Sequence, residues 1–85
     1  MVNLRAMIDE IDRKMIQLIK ARQEVSLQIG LFKKEHQLPI FDPSREKEHL
    51  ETLKALALKE GLDPTHVVEL FSLLMQHSKD TQENL

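Results

Sequence analysis

The chain has 85 residues, 41% hydrophobic and 31% charged, with Lys+Arg 12 against Asp+Glu 14, a net charge of -2, no cysteine, two glycines and three prolines. This size bounds it to one small domain, residues 1–85, whose isolated core would be marginal without a partner chain, and the missing cysteines exclude a disulfide framework and a thiolate metal site. The slightly acidic balance, with no basic stripe of interleaved aromatics, excludes a general nucleic-acid binder, so any anion bound here is expected to be small and locally gripped.

The first element is a long helix, expected over about residues 3–36. Leu4, Ile8, Ile11, Met15, Leu18, Val25, Ile29 and Phe32 recur at heptad spacing, with Arg22 standing where the next apolar residue belongs. Such a seam predicts a helix packed lengthwise on other helices. At 1.5 Å per residue it would be roughly 50 Å long, more than the diameter of an 85-residue globule. Asn3 can cap its start, and Gly30 suggests a close approach of another backbone or room for a ligand, the packing role being favoured. An always-charged guanidinium within an apolar stripe needs an anionic partner. Either a carboxylate of the chain supplies it or a ligand does.

Around Pro39 the helical period is lost, and Asp42-Pro43 then gives the N-cap and first-turn pattern of a second helix, expected over about residues 43–60. Its apolar side is Leu50, Leu53, Leu56 and Ala57, Arg45 and Glu46 occupy its first turn, and Gly61 closes it. Asp63-Pro64 repeats the cap and opens a third helix, expected over about residues 64–82, along Val67, Phe71, Leu74 and Ser78. That stripe turns polar at Ser78 and Gln82, which is either a fraying end or part of a site.

Arg22 and Lys33, eleven residues apart, return to nearly the same face of helix one with about 16 Å of axial separation. Arg5 lies roughly 25 Å from Arg22 along the axis, too far to share its pocket, but within reach of the pocket of an antiparallel partner. The expected fold is therefore all-α, with one long and two shorter helices per chain, in an intertwined antiparallel homodimer where each long helix lends Arg5 to the other subunit's site. The cations, the Asp42 and Glu46 carboxylates and the neutral groups Ser78 and Gln82 suit the positioning of a dianion. No nucleophile with an adjacent base can be assembled. His36, His49, His66 and His77 lack zinc-ligand spacing and read as surface or helix-end residues, so no metal is expected. The chain lacks a signal-peptide pattern and any stretch long enough to span a bilayer, which points to a soluble, cytoplasmic protein.

These residues carry a family resemblance over essentially the whole chain. The stretch LRAMIDEIDRKMIQLI holds Arg5, ARQEVSLQIGLFKK holds Arg22 and Lys33, FDPSREKE holds Asp42, Arg45 and Glu46, and HSKDTQ holds Ser78 and Gln82. In this order and spacing the chain closely resembles the all-helical chorismate mutases, the bacterial type found alone or fused to other enzymes of aromatic amino-acid synthesis. The resemblance implies the pericyclic rearrangement of chorismate to prephenate, with no cofactor, metal or covalent intermediate. It also implies that Arg22, Lys33 and the partner's Arg5 hold the two substrate carboxylates, while Lys33 and Gln82 face the ether oxygen. Glu46 and the Asp42 backbone would bind the ring hydroxyl, Ser78 would contact a carboxylate, and Arg45 would orient neighbouring acidic groups. Asp42 has a reason to be present in either case, as the cap of helix two. Two alternatives are an isochorismate-pyruvate lyase on the same scaffold, which Glu46 disfavours, and a non-catalytic dimeric helical interaction module, which has no use for Arg22 in an apolar seam.

Overall fold

The computed structural model describes residues 2–85 and holds three helices: α1 (Val2–Glu35), α2 (Pro43–Lys59) and α3 (Pro64–Glu83). The described residues extend 52 × 24 × 15 Å, so α1 sets the length of the molecule. α3 packs against both α1 and α2, whereas α1 and α2 have no backbone-close contact with each other. The space between them, floored by α3, is where the site lies.

Local chemistry explains the breaks. Asp42 Oδ1 accepts a hydrogen bond from the Arg45 backbone N–H at 3.1 Å, and Asp63 Oδ1 accepts one from Thr65 N–H at 2.9 Å. Each cap satisfies an otherwise orphaned donor, and the proline that follows is pre-set for the first helical turn. Asn3 does not cap α1, because the helix already includes Val2 and Asn3 lies within its first turn. α2 ends in a Schellman motif: Leu62 N–H donates to Ala57 C=O at 2.8 Å and Gly61 N–H to Leu58 C=O at 3.1 Å, with Gly61 at φ 74°. α1 ends in the same way, with Leu38 N–H bonded to Lys33 C=O at 2.8 Å and Gln37 N–H to Lys34 C=O at 3.3 Å. There the left-handed position, φ 56°, is taken by Gln37, at a cost of about 1–2 kcal/mol relative to a right-handed residue.

The core of a single chain is small. Among the described residues only Leu53, Ala57 and Met75 are buried hydrophobics, joined by the buried polar residues Ser26 and Gln82. Leu56, expected on the apolar side of α2, is 51% exposed. It lies at the edge of the stripe formed by Leu50, Leu53 and Ala57, beyond what α3 covers.

The heptad seam of α1 is not what meets α3. The shielded residues of that helix are Ile19, Arg22, Ser26, Gly30 and Lys33, a face of small and polar groups at steps of three and four. Leu4, Ile8, Ile11, Met15, Leu18, Val25, Ile29 and Phe32 remain 45–70% exposed. An open apolar stripe along a helix of this length is far more than a stable solitary domain normally leaves to water.

Candidate active site

A cavity of about 670 Å³ lies between α1, the 40–42 segment, α2 and α3. Arg22, Lys33, Asp42, Arg45, Glu46, Ser78 and Gln82 all line it. Arg5 does not: it sits on the exposed N-terminal half of α1 in a shallow depression with Leu4, Ile8 and Asp9. The fold thus gathers every candidate site residue except the one assigned to a partner chain.

Arg22 is half-buried where α1 crosses α3. Its Nη1 donates to Ser78 Oγ at 2.7 Å and to the Leu74 carbonyl at 3.4 Å. Among the described residues no carboxylate lies within ion-pair distance of it. The internal-carboxylate explanation for this cation is therefore not realised. Among the described residues Nε and Nη2 have no protein partner, so a planar fork of donors stays available to a ligand.

Lys33 sits at the far end of the same face and donates to the Ile40 carbonyl at 2.9 Å, tying α1 to the segment that leads into α2. Gln82 is buried, and its Nε2 donates to Ser26 C=O at 3.0 Å and Ser26 Oγ at 3.1 Å. A carbonyl can only accept, which sets the orientation of the amide. The end of α3 is therefore seated on α1 and not frayed. Gly30 makes this seating possible, since a Cβ there would lie 2.7 Å from Gln82 Cγ and 2.8 Å from Leu85 Cδ1. Packing is the role it performs. Gly30→Ala is expected to push α3 away and cost about 1–3 kcal/mol of stability, read as a lower urea midpoint; a midpoint equal to the parent's would refute the close seating.

Ser26 and Lys79 were not singled out from the sequence, and His49, expected at the surface or at a helix end, instead lies partly buried within α2. Ser26 anchors Gln82, Lys79 pairs with Glu46 across the α2–α3 junction at 3.1 Å, and His49 lines the cavity one turn beyond Glu46. Ser26 was detectable as a member of the 22–26–30–33 face. Lys79 and His49 carried no periodic signal. The His49 pKa is lowered from 6.5, first by burial and then by repulsion from Arg45 and Arg22, which favours the neutral ring. The sign of the linkage follows. Its contribution to stability is complete above the unfolded value of 6.5 and is lost as pH falls through the lower folded value. The stability difference between wild type and His49→Leu is therefore expected to shift against wild type as pH drops from about 7 to 5, in urea titrations at each pH; a pH-independent difference would refute the assignment.

Electrostatically the cavity is asymmetric. Arg22, Lys33, Arg45 and Lys79 bring four cations to its walls against the carboxylates of Asp42 and Glu46. Asp42 is engaged as the α2 cap and Glu46 by Lys79, so Arg22 and Lys33 keep no carboxylate partner. The two serines in the cavity are bonded to Arg22 and Gln82, and among the described residues neither is hydrogen-bonded to His49. Such an arrangement can hold and orient a dianion and stabilise charge that develops on an oxygen.

Comparison with known proteins agrees with this chemistry. The family described as chorismate mutase type II matches residues 4–83. The chain is 30% identical over 83 residues to a protein named chorismate mutase from Methanocaldococcus jannaschii, covering 98% of this chain and 84% of that protein. It is 34% identical over its full 85 residues to a bifunctional chorismate mutase/prephenate dehydratase of Buchnera aphidicola, of which it spans 22%. A protein of Haemophilus influenzae named T-protein is 36% identical over 76 residues, covering 89% of this chain and 20% of that protein. With the family's pattern matching nearly end to end on a three-helix fold, the chain belongs to the chorismate mutase type II family.

Proposed function

We propose that this chain catalyses the rearrangement of chorismate to prephenate, a step towards phenylalanine and tyrosine, and that it does so in the cytoplasm. The observation that carries this reading is a half-buried Arg22 with free guanidinium donors and no carboxylate, in a cavity shared with Lys33, Glu46 and Gln82. In the reaction one carbon–oxygen bond breaks as a carbon–carbon bond forms, with no proton, nucleophile or electron supplied by the protein. The work left to side chains is to bind two carboxylates, confine the enolpyruvyl group over the ring and stabilise the ether oxygen as it gains charge.

Arg22 grips one carboxylate, supported by Ser78, which already accepts from its Nη1. Lys33 contacts a carboxylate and the ether oxygen, and Gln82 donates to that same oxygen. Gln82 must exchange one of its two bonds to Ser26 for this, which Ser26 tolerates because its carbonyl also belongs to the α1 ladder. Glu46, with the Asp42 backbone, accepts the ring hydroxyl, and Arg45 orients the acidic groups beside it. Stabilisation falls on the transition state more than the substrate, because the ether oxygen is neutral until its bond stretches.

We further propose an intertwined antiparallel homodimer. The exposed α1 seam supports it, as does the position of Arg5, well beyond the reach of its own cavity. A second copy running antiparallel covers the seam and brings Arg5 to the other site.

The test is to incubate purified protein with chorismate and, separately, isochorismate, and to identify products by chromatography, with Arg22→Ala as control. Prephenate from chorismate, lost in the control, is the expected result. Salicylate and pyruvate from isochorismate as the dominant products would move the assignment to a lyase, and no turnover of either would favour an interaction module. Activity is also expected to be nearly flat from about pH 6.5 to 8, since Gln82 is a neutral amide. A steep loss between about pH 6 and 8 would contradict these roles.

A further inference from the structure

Lys79 stands on α3 between two groups that hold α1: Ser78 precedes it and Gln82 follows one turn later. Its own side chain reaches to the start of α2. The ammonium lies 3.1 Å from Glu46 Oε1 and 4.6 Å from the centre of the Phe41 ring. Phe41 and Glu46 flank the capping residue Asp42, so one cation pins both sides of the α2 N-terminus to α3. The two side chains of this ion pair are only 25% and 26% exposed, against 46–67% for the surface pairs Arg13–Glu10 and Lys54–Glu51. A pair so shielded is screened less by solvent and salt than those two, and the aromatic face adds a further attraction for the cation.

The consequence concerns the other cations. Glu46 shares its cavity with Arg22, Lys33 and Arg45. A carboxylate left without a dedicated partner there would be drawn to one of them, neutralising a charge that a dianionic ligand needs. Held by Lys79 through Oε1, Glu46 leaves Arg22 and Lys33 free, and Oε2 has no protein partner among the described residues.

We propose that Lys79 is a positioning residue: it clasps Glu46 to α3, keeps that carboxylate off the substrate-binding cations and leaves Oε2 to accept the ring hydroxyl. This inference rests on the chorismate mutase reading above. Lys79 acts through Glu46 and not on the substrate. Kinetics with chorismate on Lys79→Ala, Lys79→Arg, Glu46→Gln and the Lys79→Ala/Glu46→Gln double variant test it. Lys79→Ala is expected to lower kcat/KM about tenfold, with a rise in KM and a fall in kcat, and Lys79→Arg to recover to within about threefold of wild type. In the Glu46→Gln background the same Lys79→Ala change is expected to alter kcat/KM by less than about twofold. An equal fall in both backgrounds, or no fall in the single variant, overturns the proposal. A readout independent of turnover is the proton NMR shift of the Lys79 ε-methylene, expected upfield under the Phe41 ring and relaxed towards the free value in Glu46→Gln. Unshifted ε protons overturn the clasp whatever the kinetics. Shifted ε protons in a wild type that leaves chorismate unchanged would instead overturn the proposed function, with the clasp standing.

Discussion

Arg22→Ala is expected to lower kcat/KM for chorismate about a thousandfold, ~4 kcal/mol of transition-state stabilisation, and Arg22→Met to do the same without lowering the melting temperature. The first half follows from what Arg22 holds. Its Nη1 is fixed on Ser78 and the Leu74 carbonyl, while Nε and Nη2 have no partner among the described residues, so the fork is already oriented when a carboxylate arrives. Methionine can keep the stem packed between α1 and α3, but it offers no donor. The second half separates a binding cation from a structural one. A guanidinium neutralised by an internal carboxylate would leave an unpaired buried charge when removed, at a cost of about 3–5 kcal/mol. Arg22 has no such carboxylate among the described residues. Ser78 Oγ can turn to water or backbone, and what is lost in stability is that bond and the longer one to the Leu74 carbonyl, offset by the relief of a poorly compensated charge. Thermal melts beside steady-state kinetics check both halves. A large drop in melting temperature with Arg22→Met would assign Arg22 to the fold, and a loss of activity below about tenfold would remove it from the carboxylate site.

The same residue shows what the sequence could and could not disclose. Arg22 stood out because heptad spacing makes any charge in the seam visible, and Asp42-Pro43, Asp63-Pro64 and Gly61 stood out because caps and left-handed turns have strict chemical requirements. The end of α1 was less legible: the left-handed position belongs to Gln37, a residue that gives no turn signal. Hydrophobic periodicity also does not report which face of α1 meets α3 within the chain. The apolar seam is the stronger pattern, yet within the chain α3 packs on Ser26 and Gly30, small residues that add little to any apolar count and matter because they let Gln82 approach. In the site, residues shared with a known pattern were found by that pattern. Lys79 and His49 were not, since which way a side chain points across two helices depends on how α2 and α3 are placed, and no spacing within one helix reports that.

Under the proposed antiparallel homodimer, Arg5→Ala and Arg22→Ala are each expected to be inactive alone, and mixing them is expected to restore about a quarter of wild-type activity once the subunits have exchanged. In a mixed dimer, the Arg5→Ala chain has an intact Arg22 and receives Arg5 from its neighbour, so its site is complete. The other site lacks both cations. Random exchange makes half the dimers mixed, each with one working site of two, which gives about a quarter. Two features of the chain support trans delivery. Arg5 lies about 25 Å from Arg22 at 1.5 Å per residue, and no side chain spans that gap. The intervening residues Ile8, Ile11, Met15 and Leu18 are 45–70% exposed, so α1 itself presents the surface on which an antiparallel copy would lie. If Arg5 served its own chain's site, every site in the mixture would lack one cation, and the mixture would stay as inactive as its components. If the chain worked alone, mixing would change nothing and sedimentation would return a monomer. Recovered activity near a quarter, appearing at the rate of subunit exchange, distinguishes the shared site from both.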